Sequence, residues 1–395
     1  MTPLFLTVLV DMVGFGIVIP LLPFYAQKFG ASPDLVTLTV AAYTLTQFVF
    51  APLWGRISDR YGRRPVLLVT LAGTALSYVW TGLVESLAML FVARAFAGAC
   101  AANMAVAHAY VADVSAPEHR ARDMGRIGAA FGMGFVLGPA IGGFLAGPGG
   151  EPDFASPFWF AAGLSAVAWA LAWLRLRETT DPAMRQAAAA APRQGRLAAL
   201  LAGARQPRLG RLIGLAFMMP FVFSGVETTF ALWSERALGW GPAENGYVYT
   251  YMGVVAVLAQ GLAVGRLVRA VGERRAVTIG AAAVLAGCLL LPFALTIAPL
   301  LAALGLIVFG VCITGSSLNS LISLESAAHA RGATLGLGQA SSGLARILGP
   351  ALNGFAFVGL GRDAPYFLGA VVMVVMLVLA RGIVAPARPR GGEET

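Results

Sequence analysis

The sequence predicts an all-α integral membrane fold, with twelve transmembrane helices arranged as two pseudosymmetric six-helix bundles. Three observations carry the prediction. Of 395 residues, 58% are AVILMFWYC and only 12% are charged, and the mean hydropathy is +0.77. A chain of that composition has nowhere to put its apolar surface in water. Charge-poor stretches of about 20 residues, long enough to cross a ~30 Å hydrocarbon layer as helices, recur throughout. A block of sequence from the first half also returns in the second.

The first six spans are read at residues 4–26, 37–53, 66–84, 88–112, 124–146 and 158–174. The second six are read at 212–232, 246–264, 276–295, 300–321, 333–357 and 366–383. The first apolar stretch is too long for the core of a cleavable signal peptide and is expected to stay as a span. Glycine (48 in the chain) and proline (22) recur inside the spans. Lipid-embedded helices tolerate them because neighbouring helices and waters re-satisfy the freed backbone groups. No strand-type alternation runs through these segments, which disfavours a barrel. Cys100, Cys288 and Cys312 lie in apolar stretches without metal-type spacing and read as small packing residues. The chain divides into a first bundle over 1–176, a linker over 177–207 rich in Ala and Arg, and a second bundle with a short tail over 208–395.

Basic residues set the orientation. Twenty-three of the 28 lie in alternate loops and their extensions, including Arg56, Arg60, Arg63, Arg64, Arg120, Arg122, Arg126, Arg266, Arg269, Arg274 and Arg275, with eight more from Arg175 to Arg211. The opposite loops hold only Lys28, Arg236 and Arg362, beside acids such as Asp34, Glu85, Glu151 and Asp153. By the positive-inside rule both termini and the linker are expected in the cytoplasm. The net charge of +9 is thus spent on topology, and no folded basic face for nucleic acid is expected.

Residues 137–144, LGPAIGGF, recur at 348–355 as LGPALNGF, identical at six of eight positions and offset by 211. Ser115, Ala116, Arg120 and Gly125 recur at the same offset, and Gly55 and Gly62 recur as Gly265 and Gly272 at an offset of 210. Two related bundles around a midplane site are the plan that lets one cavity face either side in turn.

Three motifs carry a family resemblance. Residues 55–65, GRISDRYGRRP, fall between the second and third spans and resemble the signature loop of the major facilitator superfamily. Residues 11–23, DMVGFGIVIPLLP, resemble the first helix of its drug/proton antiporters with twelve spans, and residues 134–143, GFVLGPAIGG, resemble their antiporter motif. Arg94 with Gly98 fits a further motif of that family. The run RRPVLL at 63–68 looks most like tetracycline/proton antiporters, with Ser77 where the best-known of those pumps carry an aspartate. The resemblance implies a major facilitator fold, alternating access, and export driven by the proton gradient with no cofactor.

The residues themselves suggest three groups. In the antiporter motif, Gly134, Gly138, Gly142 and Gly143 remove side chains along one helix and Pro139 removes a backbone donor, which favours close packing and a bend. In the loop motif, Gly55, Asp59, Arg60, Gly62, Arg63 and Arg64 form a candidate gate. Asp59 and Arg63 share a helical face and can pair with neighbours in the other half, while Asp113 is a candidate partner for Arg63. Solvated surface charge is the other reading of this set. Asp11, Arg94 and Glu227 are ionisable groups inside spans and are candidates for proton coupling or substrate contact. Arg94 stays protonated and needs an acid or a water-filled cavity, and Asp11 is its candidate partner. Asp11 also reads as a snorkelling acid near a helix end, and Glu227 as half of a static pair with Arg346. Gln47, Asn103, His108, Gln260, Asn319 and Arg346 are candidate cavity-lining groups.

The expected function is efflux of a small amphipathic or cationic compound in exchange for protons, from a monomer in the inner membrane of a bacterium. Its partners are then that small molecule, protons and lipid. Transport of a sugar or other metabolite is the alternative. An enzyme would cluster its nucleophiles and acids, whereas His108, His119 and His329 are dispersed, and no Gly-x-x-x-x-Gly-Lys phosphate loop exists.

Overall fold

The structure is a computed structural model that describes residues 2–101, 103–147, 152–179, 207–325 and 331–382. Most of the linker and the tail after residue 382 lie outside this set. Thirteen α-helices make up the described chain. In the first half they are α1 (Thr2–Lys28), α2 (Pro33–Tyr61), α3 (Arg63–Gly82), α4 (Leu87–Cys100), α5 (Asn103–Val114), α6 (Pro117–Ala146) and α7 (Ala155–Arg175). The second half contains α8 (Pro207–Leu238), α9 (Pro242–Leu258), α10 (Val264–Leu290), α11 (Ile297–Glu325), α12 (Arg331–Gly359) and α13 (Ala364–Arg381).

Ten described stretches are long and apolar enough to cross a bilayer, against the twelve spans expected. Two physical facts close the gap. Pro242–Phe293 is one helical run of 52 residues that contains a π-turn at Ala259–Ala263 and reverses at Gly272 (φ 81°, ψ 162°), so it crosses twice. The remaining span is α12, which has the length but carries Gln339, Ser341, Ser342, Arg346 and Asn353. Three of these groups are satisfied within the protein: Ser341 and Ser342 donate to the carbonyls of Ile213 and Ala216 at 3.0 Å each, and Asn353 donates to Gly349 O at 2.8 Å, while Arg346 lines the space between the halves. The fourth span is interrupted at Ala101 (φ −77°, ψ 50°), which divides it into α4 and α5.

The duplication is visible in the packing. α1 lies against α6 and α7 as α8 lies against α12 and α13, while α3 on α7 matches α10 on α13. The two loop-motif glycines, Gly62 (φ 109°) and Gly272 (φ 81°), both turn the chain through backbone that favours glycine. At the end of the fold carrying the acidic loops, Asp153 caps α7 by accepting from the N–H groups of Ala155 (2.8 Å) and Ser156 (3.2 Å). The Ser156 hydroxyl and these N–H donors hold its carboxyl below the usual carboxylate range.

Helix α6 is the seam on which the halves meet. A Cβ on Gly134, Gly138 or Gly142 would sit 2.5 Å from Met12 Cβ, 2.5 Å from Gly16 Cα or 2.6 Å from Ile17 O, all on α1. One residue round the helix, Gly143 faces the second half, where its Cβ would lie 3.1 Å from Gly246 Cα. Its counterpart at offset 211, Gly354 of α12, meets Asp34 and Thr37 of α2 in the same manner. Gln27 Nε2 also donates to Glu235 Oε2 across the halves at 2.7 Å. The contacts nearest the acid-loop end thus hold the halves together there. Toward the arginine-rich end, cross-half contact thins out at Phe48 against Gly343 and Val257 against Gly132, beyond which Leu53 and Ile57 are exposed. The space between the halves opens toward the arginine-rich end.

If backbone approach is the purpose of these glycines, Gly138→Ala will lower the unfolding midpoint in detergent by the equivalent of about 1–3 kcal/mol. Gly163→Ala, at a site with nothing within 4 Å, will leave it unchanged or raised. Equal melting of the two variants would remove this explanation.

Candidate central cavity and loop gate

The space between the bundles is a cavity to which both halves contribute ionisable side chains. From the first half come Asp11 of α1 and Arg94 of α4, and from the second Glu227 of α8 and Arg346 of α12. Apolar and aromatic groups such as Phe15, Ile19, Leu22 and Phe131 fill in the walls, with hydroxyls from Thr74, Ser77 and Thr228. Small amphipathic ligands are bound in surroundings of this kind, mostly apolar with a few placed polar groups.

Each charge is held differently. Asp11 is 3% exposed and Arg94 4%. The Arg94 guanidinium lies 4.7 Å from the centre of the Tyr43 ring, a cation–π contact worth about 0.5–2 kcal/mol. Its Nε has no hydrogen-bond partner among the described residues. Tyr43 lines the same cavity as Asp11, Arg94 and Arg346, so its ring shares that space with charges from both halves. Arg346 is exposed to the cavity, and Thr44 of the opposite half donates to its carbonyl at 3.2 Å. Glu227 is within electrostatic reach of Arg346, but no ion pair within 4.0 Å joins them. Tyr249 fixes the Glu227 backbone by donating to its carbonyl at 2.5 Å.

Of the other polar groups read as cavity-lining, Gln47 lines it and donates to Ala101 O at 3.1 Å. Gln260 does not. It sits at the π-turn between α9 and α10, 3.8 Å from Cys312 Sγ of α11. His108 and Asn319 are exposed residues that also fall outside the lining, one on α5 and one on α11 at the repeat offset of 211. Asn103 begins α5, and its side chain lies outside the described residues.

The loop motif forms a second cluster, at the arginine-rich end. Arg63 Nη1 meets Asp59 Oδ1 at 2.5 Å and Ser58 Oγ at 2.7 Å, and its Nε meets Asp113 Oδ2 at 2.9 Å. The side chains of Arg63 and Asp113 are only 12% and 11% exposed, so this is more than a loose surface pair. Asp113 is the partner that the sequence suggests for Arg63, while the cross-half pairing that the motif also allows is not among these contacts, all of which belong to the first half. The open arginine-rich end accounts for this, because the second half is out of reach. Arg60 rests 5.4 Å from the Tyr61 ring, and Arg64 donates to Trp173 O at 2.7 Å. Gly55 has open space around it.

Glu178 is a member of this cluster that sequence reasoning missed. It accepts from the N–H groups of Arg63 (2.9 Å) and Arg64 (3.3 Å), so it caps α3 at the favourable end of the helix dipole. It also fills the space that a side chain at Gly62 would need, 2.6 Å from the ideal Cβ position. Its only signal is an isolated acid among arginines just after the sixth span. Among the described residues the second half shows no such cluster: Asp59 and Arg63 become Arg269 and Glu273, and nothing lies within 4 Å of a Cβ on Gly272.

A two-fold related helical membrane bundle with an ionisable central cavity and a charged turn at one end is the architecture of a transporter. The sequence matches the family profile of the Major Facilitator Superfamily over residues 4–350 and 238–395, and the chain belongs to that superfamily. It is 30% identical to the tetracycline resistance protein, class B, of Escherichia coli, over 87% of this chain and 85% of that one. It is 28% identical to multidrug resistance protein 2 of Bacillus subtilis, over 94% and 92%. Among solved structures, that of the human organic anion transporter MFSD10 matches with a TM-score of 0.72 and 26% identity, covering 96% of this chain and 98% of that one.

The Arg63 cluster makes a quantitative prediction. Arg63→Ala and Asp113→Ala will each destabilise the protein, because each leaves a poorly solvated charge behind. The double variant will cost less than their sum by about 1–3 kcal/mol. Thermal unfolding of the four proteins measures this, and strict additivity would mean that the charges are independently solvated.

Proposed function

We propose that this protein exports a small amphipathic, drug-like compound across the bacterial cytoplasmic membrane in exchange for protons, both termini lying in the cytoplasm. The observation that carries the reading is the pair Asp11 and Glu227, one carboxylate from each half, lining a single cavity between halves that meet at one end and part at the other. Intramembrane acids that a cavity can expose to either side in turn are suited to carry protons. A proton entering down a membrane potential supplies about 2.3 kcal/mol per 100 mV, so no nucleotide or cofactor is required. The concentration of arginines in the loops at the open end supports the orientation by the positive-inside rule. Resemblance to tetracycline and multidrug resistance proteins supports export as the direction. Tetracycline is one candidate substrate, though Ser77 lines the cavity where the best-known tetracycline pumps carry an aspartate. The protein acts as a monomer in this reading, since one chain supplies both walls of the cavity.

Inverted membrane vesicles holding a preformed pH gradient test this. Substrates from a panel of antibiotics and dyes will dissipate the gradient in wild type, and equally expressed Asp11→Asn or Glu227→Gln variants will respond at least about tenfold more slowly. If folded wild type couples no panel compound to proton movement, transport of a sugar or other metabolite takes its place.

A further inference from the structure

The cavity holds two kinds of charge, and they differ in permanence. Asp11 and Glu227 can be neutralised by a proton, whereas Arg94 and Arg346 cannot lose theirs under any physiological condition. Each half supplies one group of each kind. A ligand therefore meets a guanidinium and a carboxylate from either wall, with aromatic and aliphatic surface between them.

Three classes of ligand can be compared by charge alone. A simple organic cation would meet two permanent guanidinium groups, one of them, Arg346, standing exposed in the cavity. A simple organic anion would meet two carboxylates unless both were protonated. Its binding would then favour proton uptake, and a ligand that gathers protons as it binds cannot exchange for them. A zwitterion satisfies both conditions. Its anionic group faces arginine, while its cationic group competes with the proton for a carboxylate, which is the competition that exchange requires.

The state of the two arginines supports this choice. Arg94 is 4% exposed and lines the cavity, its Nε lacks a hydrogen-bond partner among the described residues, and its guanidinium lies over the Tyr43 ring. A buried donor left without an acceptor is costly, and an incoming carboxylate would satisfy it. Arg346 has no carboxylate within 4.0 Å among the described residues, and its backbone is tied to Thr44 of the other half. Both guanidinium groups line the same cavity as Tyr43, Arg94 from the first half and Arg346 from the second.

We infer that the transported compound is an amphipathic zwitterion whose carboxylate or equivalent acidic group is read by Arg346 and Arg94 beside Tyr43, while its cationic centre displaces a proton from Glu227 or Asp11. The inference rests on the proposal that this cavity is the substrate site of a proton-coupled exporter, and it adds the class of substrate.

Three xanthene dyes of one skeleton separate the classes: rhodamine 110 is a zwitterion, its methyl ester rhodamine 123 is a cation, and fluorescein is an anion. Fluorescence polarisation with the full-length protein in nanodiscs measures binding of each. Rhodamine 110 is expected to bind at least about tenfold more tightly than rhodamine 123, the effect of one charge-assisted hydrogen-bonded contact. Arg346→Gln should remove that margin without weakening rhodamine 123, and Arg346→Lys should keep part of it. Rhodamine 110 binding should weaken as pH falls toward protonation of the acids. Equal binding of the two rhodamines by wild type, or tightest binding of fluorescein, overturns the inference even if Arg346→Gln fails to fold. The same dyes in inverted vesicles keep the two claims apart. If rhodamine 123 alone collapses the pH gradient, export stands and the zwitterion falls. If rhodamine 110 binds through Arg346 yet moves no protons, the substrate class stands and proton-coupled export falls.

Discussion

A guanidinium near the middle of a hydrocarbon layer cannot discharge itself, and it is tolerated only where an aromatic face, an acid or water receives it. Arg94 imposes that condition here. It takes the Tyr43 ring on one side and the cavity on the other, so a single arginine requires α2 and α4 to stay close and the space beside them to stay open. Asp11 on the neighbouring helix and Arg346 across the gap extend the same requirement to the second half. The polar centre exists because packed side chains cannot fill that space without stranding a permanent charge.

The seam solves the opposite problem. The halves must approach closely enough to seal one end yet remain separable, so side chains that would interlock are absent where they meet. Gly143 on α6 and Gly354 on α12 are the same residue of the repeat, and each lets a helix of the other half come against its backbone at the acid-loop end. Contacts between smooth helix faces carry little side-chain interdigitation to undo, which suits surfaces that part and re-form. The Arg63 cluster at the other end works within one half, holding α2, α3 and α5 together as a unit that can move as a body.

Much of this was legible in the sequence, because membrane helices are specified by composition over long windows and a duplication is visible as repeated residues. The twelve spans, the two halves and the glycine motif follow from such signals. What escaped was set by contact geometry. α12 carries enough polar groups to look less apolar than the other spans, yet Ser341 and Ser342 find carbonyl partners on α8 and Arg346 faces the cavity. Gln260 has the same local signature as Gln47, a lone amide in an apolar helix, but one faces a neighbouring thiol and the other the cavity. Glu178 was missed because the turn it caps lies 115 residues away in the chain. The loop-motif pattern permits Arg63 to reach either half, and only the opening of the structure at that end decides which.

The central claim is that the two bundles rock about the cavity, one end closing as the other opens. Paired spin labels measure this directly: Ser32 with Leu360 across the closed end, and Ile57 with Gly336 across the open end, followed by pulsed electron resonance as substrate is added or pH is lowered. The account predicts that the two distances change in opposite directions, the first lengthening while the second shortens. If both distances stay fixed, or move in the same direction, the bundles do not rock and the cavity does not alternate between sides.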